Sequence, residues 1–178
     1  FEMYLNKMPD STVYKKHNVN NYLANYAVVG DHPVWGEGWH YLRFRLNYIL
    51  TIQSAKVDSV SFFVPVLKQN SSLALSPVEK QWSSTTITWD VRSFPTSEES
   101  LKGKLSSRMW EIDVTDYAIR CFEDTTWLKE SYGLLVTADS DKYSILSTSD
   151  NSLYSPYIVV VLNRLPAYFE PQDNINPT

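Results

Sequence analysis

The eleven residues GDHPVWGEGWH, at positions 30–40, are rich in side chains that could do chemistry. His32, Glu37 and His40 carry the nitrogen and oxygen atoms that bind zinc in proteins. The zinc motif HExxH needs a helix to bring two imidazoles onto one face, and the glycines and the proline of this stretch exclude a helix. A loop could still gather the three side chains, but their spacing is not specific to a metal site.

The same stretch carries groups that suit a carbohydrate. Sugar rings present apolar C–H faces that pack on flat indole rings, and sugar hydroxyls need short polar partners. Trp35 and Trp39 supply the rings, while Asp31 and Glu37 supply the polar partners. The alternative is that both indoles fold back and cover the open end of a hydrophobic core. Both interpretations stay open, and either one predicts a tightly folded loop over the end or edge of the fold.

Other aromatic residues are weaker candidates for binding. Trp127 and Tyr132 flank a loop, and Trp127 is a further candidate for stacking against a sugar. Trp82, Trp89 and Trp110 lie in or beside strand patterns, so we expect them in the core.

Two polar features complete the set of candidate sites. Asp139, Asp141 and Asp150 lie in polar loops and could hold a structural calcium ion through oxygen ligands. No EF-hand spacing is present, so solvated turn aspartates are the default, and no other cofactor is predicted. Asn70 begins the sequence Asn-Ser-Ser, an acceptor for N-glycosylation if the source is eukaryotic.

No catalytic motif is recognisable. The chain lacks a G-x-S-x-G turn, a glycine-rich phosphate loop and a readable Cys–His pair. A pair of carboxylates for glycoside hydrolysis depends on spatial separation, and nothing singles one out. The sequence therefore predicts that the chain is not an enzyme.

The composition excludes other classes of function. The 178 residues suffice for one domain with a full hydrophobic core. The net charge of -4 indicates that nucleic acid is not a partner, because the chain has no excess of basic residues to neutralise phosphates. The longest apolar run, 158–162, is too short to span a bilayer, so no membrane insertion is predicted. Cys121 is the single cysteine, and we expect a buried thiol.

Alternating apolar residues predict a chain dominated by short strands. Pro65 lies inside one of them and implies a sheet edge or a bulge. One short helix is predicted near 116–122, with Thr115 or Asp116 as its cap. Eight to nine strands joined by polar loops indicate an all-β, antiparallel jelly-roll sandwich. The predicted strands include 42–50, 60–66, 85–91, 110–114, 133–137, 143–147 and 157–162.

The same patterns divide the chain into three parts. Residues 1–9 are predicted to be an N-terminal arm and residues 10–165 the β-sandwich domain. The proline-rich, polar segment 166–178 is predicted to be a C-terminal arm or linker.

The order of eight motifs across residues 10–162 resembles the DNRLRE-domain family, which are jelly-roll modules of secreted and cell-surface proteins. The clearest is WSSTTITW at 82–89, which is similar to the family signature WxExTVTW. The later half is also similar to the propeptides of transforming growth factor β, through a shared W-FDVT…GL pattern. The signature at 82–89, and the lack of a basic processing site before Thr178, favour the first family. The other motifs are DSTVY at 10–14, NYAVVG at 25–30, YLRFRL at 41–46, AKVDSVSF at 55–62, WEIDVT at 110–115, YGLL at 132–135 and SPYIVV at 155–160.

The resemblance implies a non-catalytic module, similar to those attached to alginate lyases, of which some bind alginate-like glycans. The first functional hypothesis is therefore polysaccharide binding through exposed aromatic residues. The alternative is a self-assembling subunit of an extracellular fibre, adhesin or coat, in which arms or sheet edges engage neighbouring copies in a homo-oligomer. Both hypotheses imply a secreted or cell-surface protein.

Overall fold

A computed structural model describes residues 2–5, 9–43, 56–123, 132–139 and 141–163 of the chain. Eleven strands, all paired antiparallel, and one helix make up this described part. The elements are β1 (Glu2–Leu5), β2 (Asp10–Tyr14), β3 (Tyr26–His32), β4 (Gly36–Leu42), β5 (Val57–Lys68), β6 (Leu73–Pro77), β7 (Lys104–Ser106), β8 (Met109–Asp113), α1 (Thr115–Glu123), β9 (Leu134–Ala138), β10 (Tyr143–Ser147) and β11 (Tyr157–Leu162).

The strands form two sheets that share the long strand β5. The first sheet has the order β1-β11-β5-β8-β7. The second has the order β10-β3-β4-β9-β6, with β2 also paired to β4, and the end of β5 pairs with β10. Pro65 lies where the partner of β5 changes from β11 to β10, so its missing N–H breaks no continuous ladder. The prediction of an all-β antiparallel sandwich is confirmed.

The main core lies between the two sheets and follows the alternation in the sequence. Val60, Phe62 and Val64 of β5 point inward and are buried with Trp110 and Ile112 of β8. Residues of β3, β4, β9 and β10 close this core from the other sheet. The predicted strands at 60–66, 110–114, 133–137, 143–147 and 157–162 are therefore confirmed, within three residues at their ends.

The predicted strand at 85–91 is wrong, and these residues belong to an irregular segment, 78–96, which we call the strap. Residues 85–91 were expected to form a strand, but they form turns that end in a 3-10 turn at Trp89–Val91. Ile87 and Trp89 are buried as expected, yet they pack on the outer face of the second sheet, and Val91 is 67 % exposed. The two ends of the strap pair with each other through an isolated antiparallel bridge, Val78↔Pro95. Its middle part bonds to turns and side chains, and Asn20 Nδ2 donates to the carbonyls of Ser84 and Ile87.

The strap and the sheet together bury a second hydrophobic cluster, which we call the outer core. Trp82 and Trp89 come from the strap and Tyr41 from β4, and the Tyr41 hydroxyl donates a hydrogen bond to the Ser93 carbonyl. Burial of the three tryptophans Trp82, Trp89 and Trp110 was predicted and is confirmed. The outer core consists of Val13, Tyr41, Val78, Trp82, Ile87, Trp89 and Leu135, with Trp39 and Tyr132 packed against it.

Helix α1 lies where the sequence predicted it and packs against β5. The Asp113 carboxylate accepts the N–H of Thr115 at 2.9 Å, while the Thr115 hydroxyl accepts the N–H of Val60 at 2.9 Å. The expected cap residue therefore ties the helix to the sheet, and the capping carboxylate comes from Asp113. Cys121, on this helix, is fully buried in the main core, as predicted.

Some predictions fall on residues that the structure does not describe. The predicted strand 42–50 is described only to Arg43, and the C-terminal arm 166–178 lies wholly outside the described residues. Within the predicted N-terminal arm, residues 2–5 form β1, which pairs with β11. The division into arms and domain stays a prediction. Within the described chain, no helix has the length and hydropathy that a membrane span requires.

Candidate functional site

The stretch 30–40 is a β-hairpin, and the prediction of a loop is wrong. Strands β3 and β4 pair through Gly30↔Gly38, Asp31↔Glu37 and His32↔Gly36, with a turn at 33–35 between them. Glycines supply no side chains, so they hid the alternation that would have shown two strands. The hairpin presents its aromatic and acidic side chains from a hydrogen-bonded ladder, which is a more rigid support than a loop.

Trp35 lies in a cluster at the hairpin turn. Its indole stacks on the His32 ring, with centroids 4.7 Å apart, and tilts against the Tyr14 ring at 5.2 Å. The His32 ring also contacts the Tyr143 ring at 4.8 Å. The Tyr14 hydroxyl accepts the N–H of Val28, and burial raises the pKa of Tyr14 to about 12, so this ring is neutral structural support. We call Tyr14, His32, Trp35 and Tyr143 the turn cluster.

Trp39 lies in a different cluster, which joins the hairpin to the strap. Its indole makes edge-to-face contacts with the rings of Trp89 (5.2 Å) and Phe94 (5.9 Å). Its Nε1 donates to Glu37 Oε1 at 3.0 Å. The Arg92 guanidinium lies 3.8 Å from the Trp89 ring centroid and 4.9 Å from that of Trp39. We call Glu37, Trp39, Trp89, Arg92 and Phe94 the aromatic patch.

The exposure of the aromatic patch agrees with both interpretations of Trp39, as a cover of the core and as a group that can contact a sugar. Trp89 beneath it is buried, whereas Phe94 is 46 % exposed and Glu37 is exposed. Trp39 and Arg92 are half-buried, so one side of the indole packs against the outer core and another side meets solvent. The aromatic patch can therefore offer a ligand the exposed part of the indole and a phenyl ring, with a cation and a carboxylate beside them.

The structure separates the four hairpin candidates. Trp35 and Trp39 belong to the turn cluster and the aromatic patch respectively, so they do not form one platform. Asp31 and Glu37 face each other across the ladder and are both exposed. Trp127 lies outside the described residues.

Sequence reasoning missed Arg92 and Phe94. They lie more than fifty residues beyond Trp39 in the chain, in the strap, just after the segment 85–91 that was expected to be a strand. No local pattern indicates that these residues meet the hairpin. Only the packing of the strap over β4 brings them to Trp39.

The zinc interpretation of the hairpin is not supported. His40 is buried, with Nδ1 3.0 Å from Thr12 Oγ1 and Nε2 3.9 Å from Asp10 Oδ2, whereas Glu37 is exposed. Among the residues that the structure describes, no three His, Cys, Asp or Glu side chains gather to hold a metal ion. Asp139 and Asp141 are both exposed, and calcium at that loop stays a prediction.

Burial of His40 makes the stability of the fold sensitive to acid. Burial lowers the pKa of His40, and the nearby Asp10 carboxylate only partly opposes this. Below about pH 6.5 His40 binds a proton in the unfolded chain but not in the folded chain. The free energy of unfolding is therefore greatest above that pH and falls as the pH decreases. We expect a loss of up to about 1.4 kcal/mol per pH unit, measured from urea midpoints between pH 7.5 and 5. His40→Gln should remove most of this slope, and an unchanged slope would contradict the assignment.

The fold is an antiparallel β-sandwich, and the aromatic patch carries an indole, an arginine and a carboxylate, which are groups that suit sugar rings and hydroxyls. The class of protein is given by comparison with known families. The chain matches the family model of carbohydrate-binding module family 96 over residues 2–161, and it belongs to that family. No curated protein sequence matches it.

Family membership confirms the carbohydrate-binding part of the resemblance seen in the sequence. Modules of this kind are in general non-catalytic and usually belong to secreted or cell-surface proteins. The likeness to DNRLRE domains in particular stays a prediction.

Proposed function

We propose that this chain is a non-catalytic module that binds polysaccharide through the aromatic patch. The observation that carries the proposal is the position of Trp39. Its half-buried indole is held between buried Trp89 and exposed Phe94, with the Arg92 guanidinium against the rings. A secreted or cell-surface parent protein is part of the proposal, because modules of this kind usually belong to such proteins.

The contacts around Trp39 fix the ring before a ligand arrives. Nε1 is engaged by Glu37, and the rings of Trp89 and Phe94 meet the indole at 61° and 89°. A ring that is already immobilised loses little conformational entropy on binding, so its contact with a sugar C–H face adds directly to affinity.

Polar groups at the patch suit sugar hydroxyls. The Arg92 guanidinium uses Nη1 to donate to the Trp89 carbonyl at 2.8 Å, which leaves Nη2 for a ligand. The Glu37 carboxylate accepts from Trp39 through Oε1, and Oε2 can accept from a hydroxyl. A donor and an acceptor on either side of an indole give the orientation that stacking alone does not provide.

Trp39→Ala tests the proposal. We expect the affinity for a bound polysaccharide to fall about 30-fold or more, because truncation of a central aromatic anchor costs about 2 kcal/mol or more. A ligand is first found by tryptophan fluorescence against a polysaccharide panel, and its dissociation constant is then measured by calorimetry.

Trp35→Ala is the matched control, since it removes the same side chain from the same hairpin but from the turn cluster. We expect it to change the affinity by less than about threefold. A folded Trp39→Ala protein that binds as tightly as the unsubstituted chain would overturn the proposal. If Trp35→Ala is instead the damaging change, the site lies at the turn cluster, where Asp31 and Trp35 would contact the sugar.

A second candidate function is assembly with other copies, and strand β1 favours it. This short strand pairs with the edge of β11 from Glu2↔Val161 to Leu5↔Ile158, with the ring of Tyr4 6.1 Å from that of Tyr157. An edge that accepts a terminal strand of its own chain can accept the same strand from a neighbour. Light scattering tests whether the chain self-assembles. A molar mass that stays monomeric at all concentrations would exclude assembly as a function.

A further inference from the structure

A groove that shares no residue with the aromatic patch lies beside the end of β5. It consists of three adjoining cavities of about 450, 210 and 510 Å³, and Gln69 lines all of them. The walls are the β5–β6 turn, the β7–β8 hairpin and the turn between β9 and β10. We call these three cavities the groove.

Two cations that have no partner among the described residues, Arg108 and Lys102, line the groove. Arg108 borders the first cavity and Lys102 the second, and neither side chain makes a hydrogen bond or ion pair within the described part of the chain. The third cavity is bordered by Lys142 and by the carboxylate of Asp141. The chain as a whole carries a net charge of -4, so two unpaired cations in one concave surface are a local reversal of charge.

Arg108 occupies an unfavourable backbone conformation. It follows Ser107 in the two-residue turn between β7 and β8, and both residues have positive φ, 49° for Ser107 and 64° for Arg108. Turns of this kind favour asparagine and glycine, because other side chains crowd the backbone at positive φ. The structure accepts this strained conformation at Arg108, and such positions often carry a function, which here would be that of the guanidinium at the groove.

The walls of the groove are held in place. The Arg108 carbonyl accepts the N–H of Val66 at 2.8 Å, which ties the hairpin tip to β5. The Ser144 hydroxyl accepts the N–H groups of Asn70 and Ser71 and lies 2.7 Å from the Ser71 hydroxyl. The groove therefore needs little ordering to bind a ligand.

We propose that the groove binds sulfate ester groups of a sulfated polysaccharide, with Arg108 contacting a sulfate in the first cavity, Lys102 a neighbouring anionic group in the second, and Gln69 a hydroxyl between them. A sulfate ester presents three oxygens in different directions, and the groove offers donors from several walls. A planar carboxylate would be satisfied by one guanidinium fork. The proposal rests on the proposed function only in taking the ligand to be a polysaccharide.

Arg108→Gly tests the proposal because it removes the charge without damaging the fold. Glycine adopts a φ of 64° freely, so the midpoint of thermal unfolding should stay the same or rise. Calorimetry at low salt compares dextran sulfate with unsubstituted dextran, which has the same backbone. We expect the unsubstituted chain to prefer dextran sulfate, and Arg108→Gly to weaken that binding about tenfold or more.

Lys104→Ala is the matched control, since Lys104 is an exposed cation on the same hairpin that lines none of the three cavities. It should change the affinity for dextran sulfate by less than about twofold. Equal losses in the two variants would show unspecific attraction between charges and would overturn the proposal, as would Arg108→Gly binding at full strength.

Two further binding experiments define the chemistry of the ligand. Sodium sulfate should compete more strongly than sodium chloride at equal ionic strength, and polygalacturonate, which carries carboxylates, should bind more weakly than dextran sulfate. Equal competition, or equal binding of the carboxylated chain, would overturn the assignment to sulfate. Trp39→Ala should leave the affinity for dextran sulfate at the groove unchanged. If the proposal for the aromatic patch is wrong, Trp39→Ala has no effect on polysaccharide binding, whereas if the proposal for the groove is wrong, Arg108→Gly has no effect on dextran sulfate binding.

Discussion

Trp82→Ala should lower the free energy of unfolding by about 3–5 kcal/mol, the range for removing a large buried aromatic side chain. Trp82 is 6 % exposed and packs in the outer core, with its ring centroid 5.5 Å from that of Tyr41. Its Nε1 donates to the Tyr132 carbonyl, and the Arg43 guanidinium lies 5.2 Å from its ring. Urea denaturation measures the loss.

The same substitution should also weaken polysaccharide binding, because Trp82 anchors the strap that carries Trp89, Arg92 and Phe94. Trp82→Phe serves as the comparison, since it keeps an aromatic ring but leaves the Tyr132 carbonyl without its donor. We expect a smaller loss of about 1–3 kcal/mol for this variant. A loss below about 1 kcal/mol for Trp82→Ala would show that the outer core does not depend on this indole.

Gly38→Ala should cost about 3 kcal/mol of folding free energy, at the upper end of the range for overpacked sites. A Cβ at this position would lie 2.2 Å from the Val28 carbonyl oxygen and 2.9 Å from the Tyr14 ring. The carbonyl belongs to strand β3, so relief of the clash requires the hairpin strands to move apart. Chemical denaturation measures the loss.

Gly36→Ala is the matched control on the same strand. There the added Cβ would lie 2.9 Å from Lys16 Cγ and 3.4 Å from the Lys16 backbone nitrogen, and a change of the Lys16 rotamer relieves the closer contact. The remaining cost comes from the positive φ of 71° and is about 1–2 kcal/mol. Equal losses at Gly36 and Gly38 would contradict the view that close approach of backbone, and not conformation, requires glycine at position 38.

Local patterns in the sequence were sufficient to predict the main core. Val60, Phe62 and Val64 alternate with polar or half-buried residues, and the structure buries all three between the sheets. Alternation is reliable here because successive side chains of a strand point to opposite faces, so the pattern itself states which side is buried. Helix α1 was also predictable, because its signals lie within a single short segment of the chain.

The hairpin and the strap show where local patterns were insufficient. In the hairpin, Gly36 and Gly38 interrupt the pattern that would have marked β4 as a strand. In the strap, Ile87 and Trp89 alternate as in a strand but are buried because a loop lies flat on the outer face of a sheet. Alternation reports that a side chain is buried, and it does not report which surface covers it.

The sequence by itself determined the class of fold, the buried residues of the main core and the absence of an evident catalytic motif, and it named Trp35 and Trp39 as candidates for binding. The tertiary structure decided that Trp39 meets Arg92 and Phe94, that Trp35 belongs to a different cluster, and that Arg108 and Lys102 border one groove. These groupings join residues from separate segments of the chain. Their formation depends on how the sheets, the strap and the turns pack together, and no local pattern carries that information.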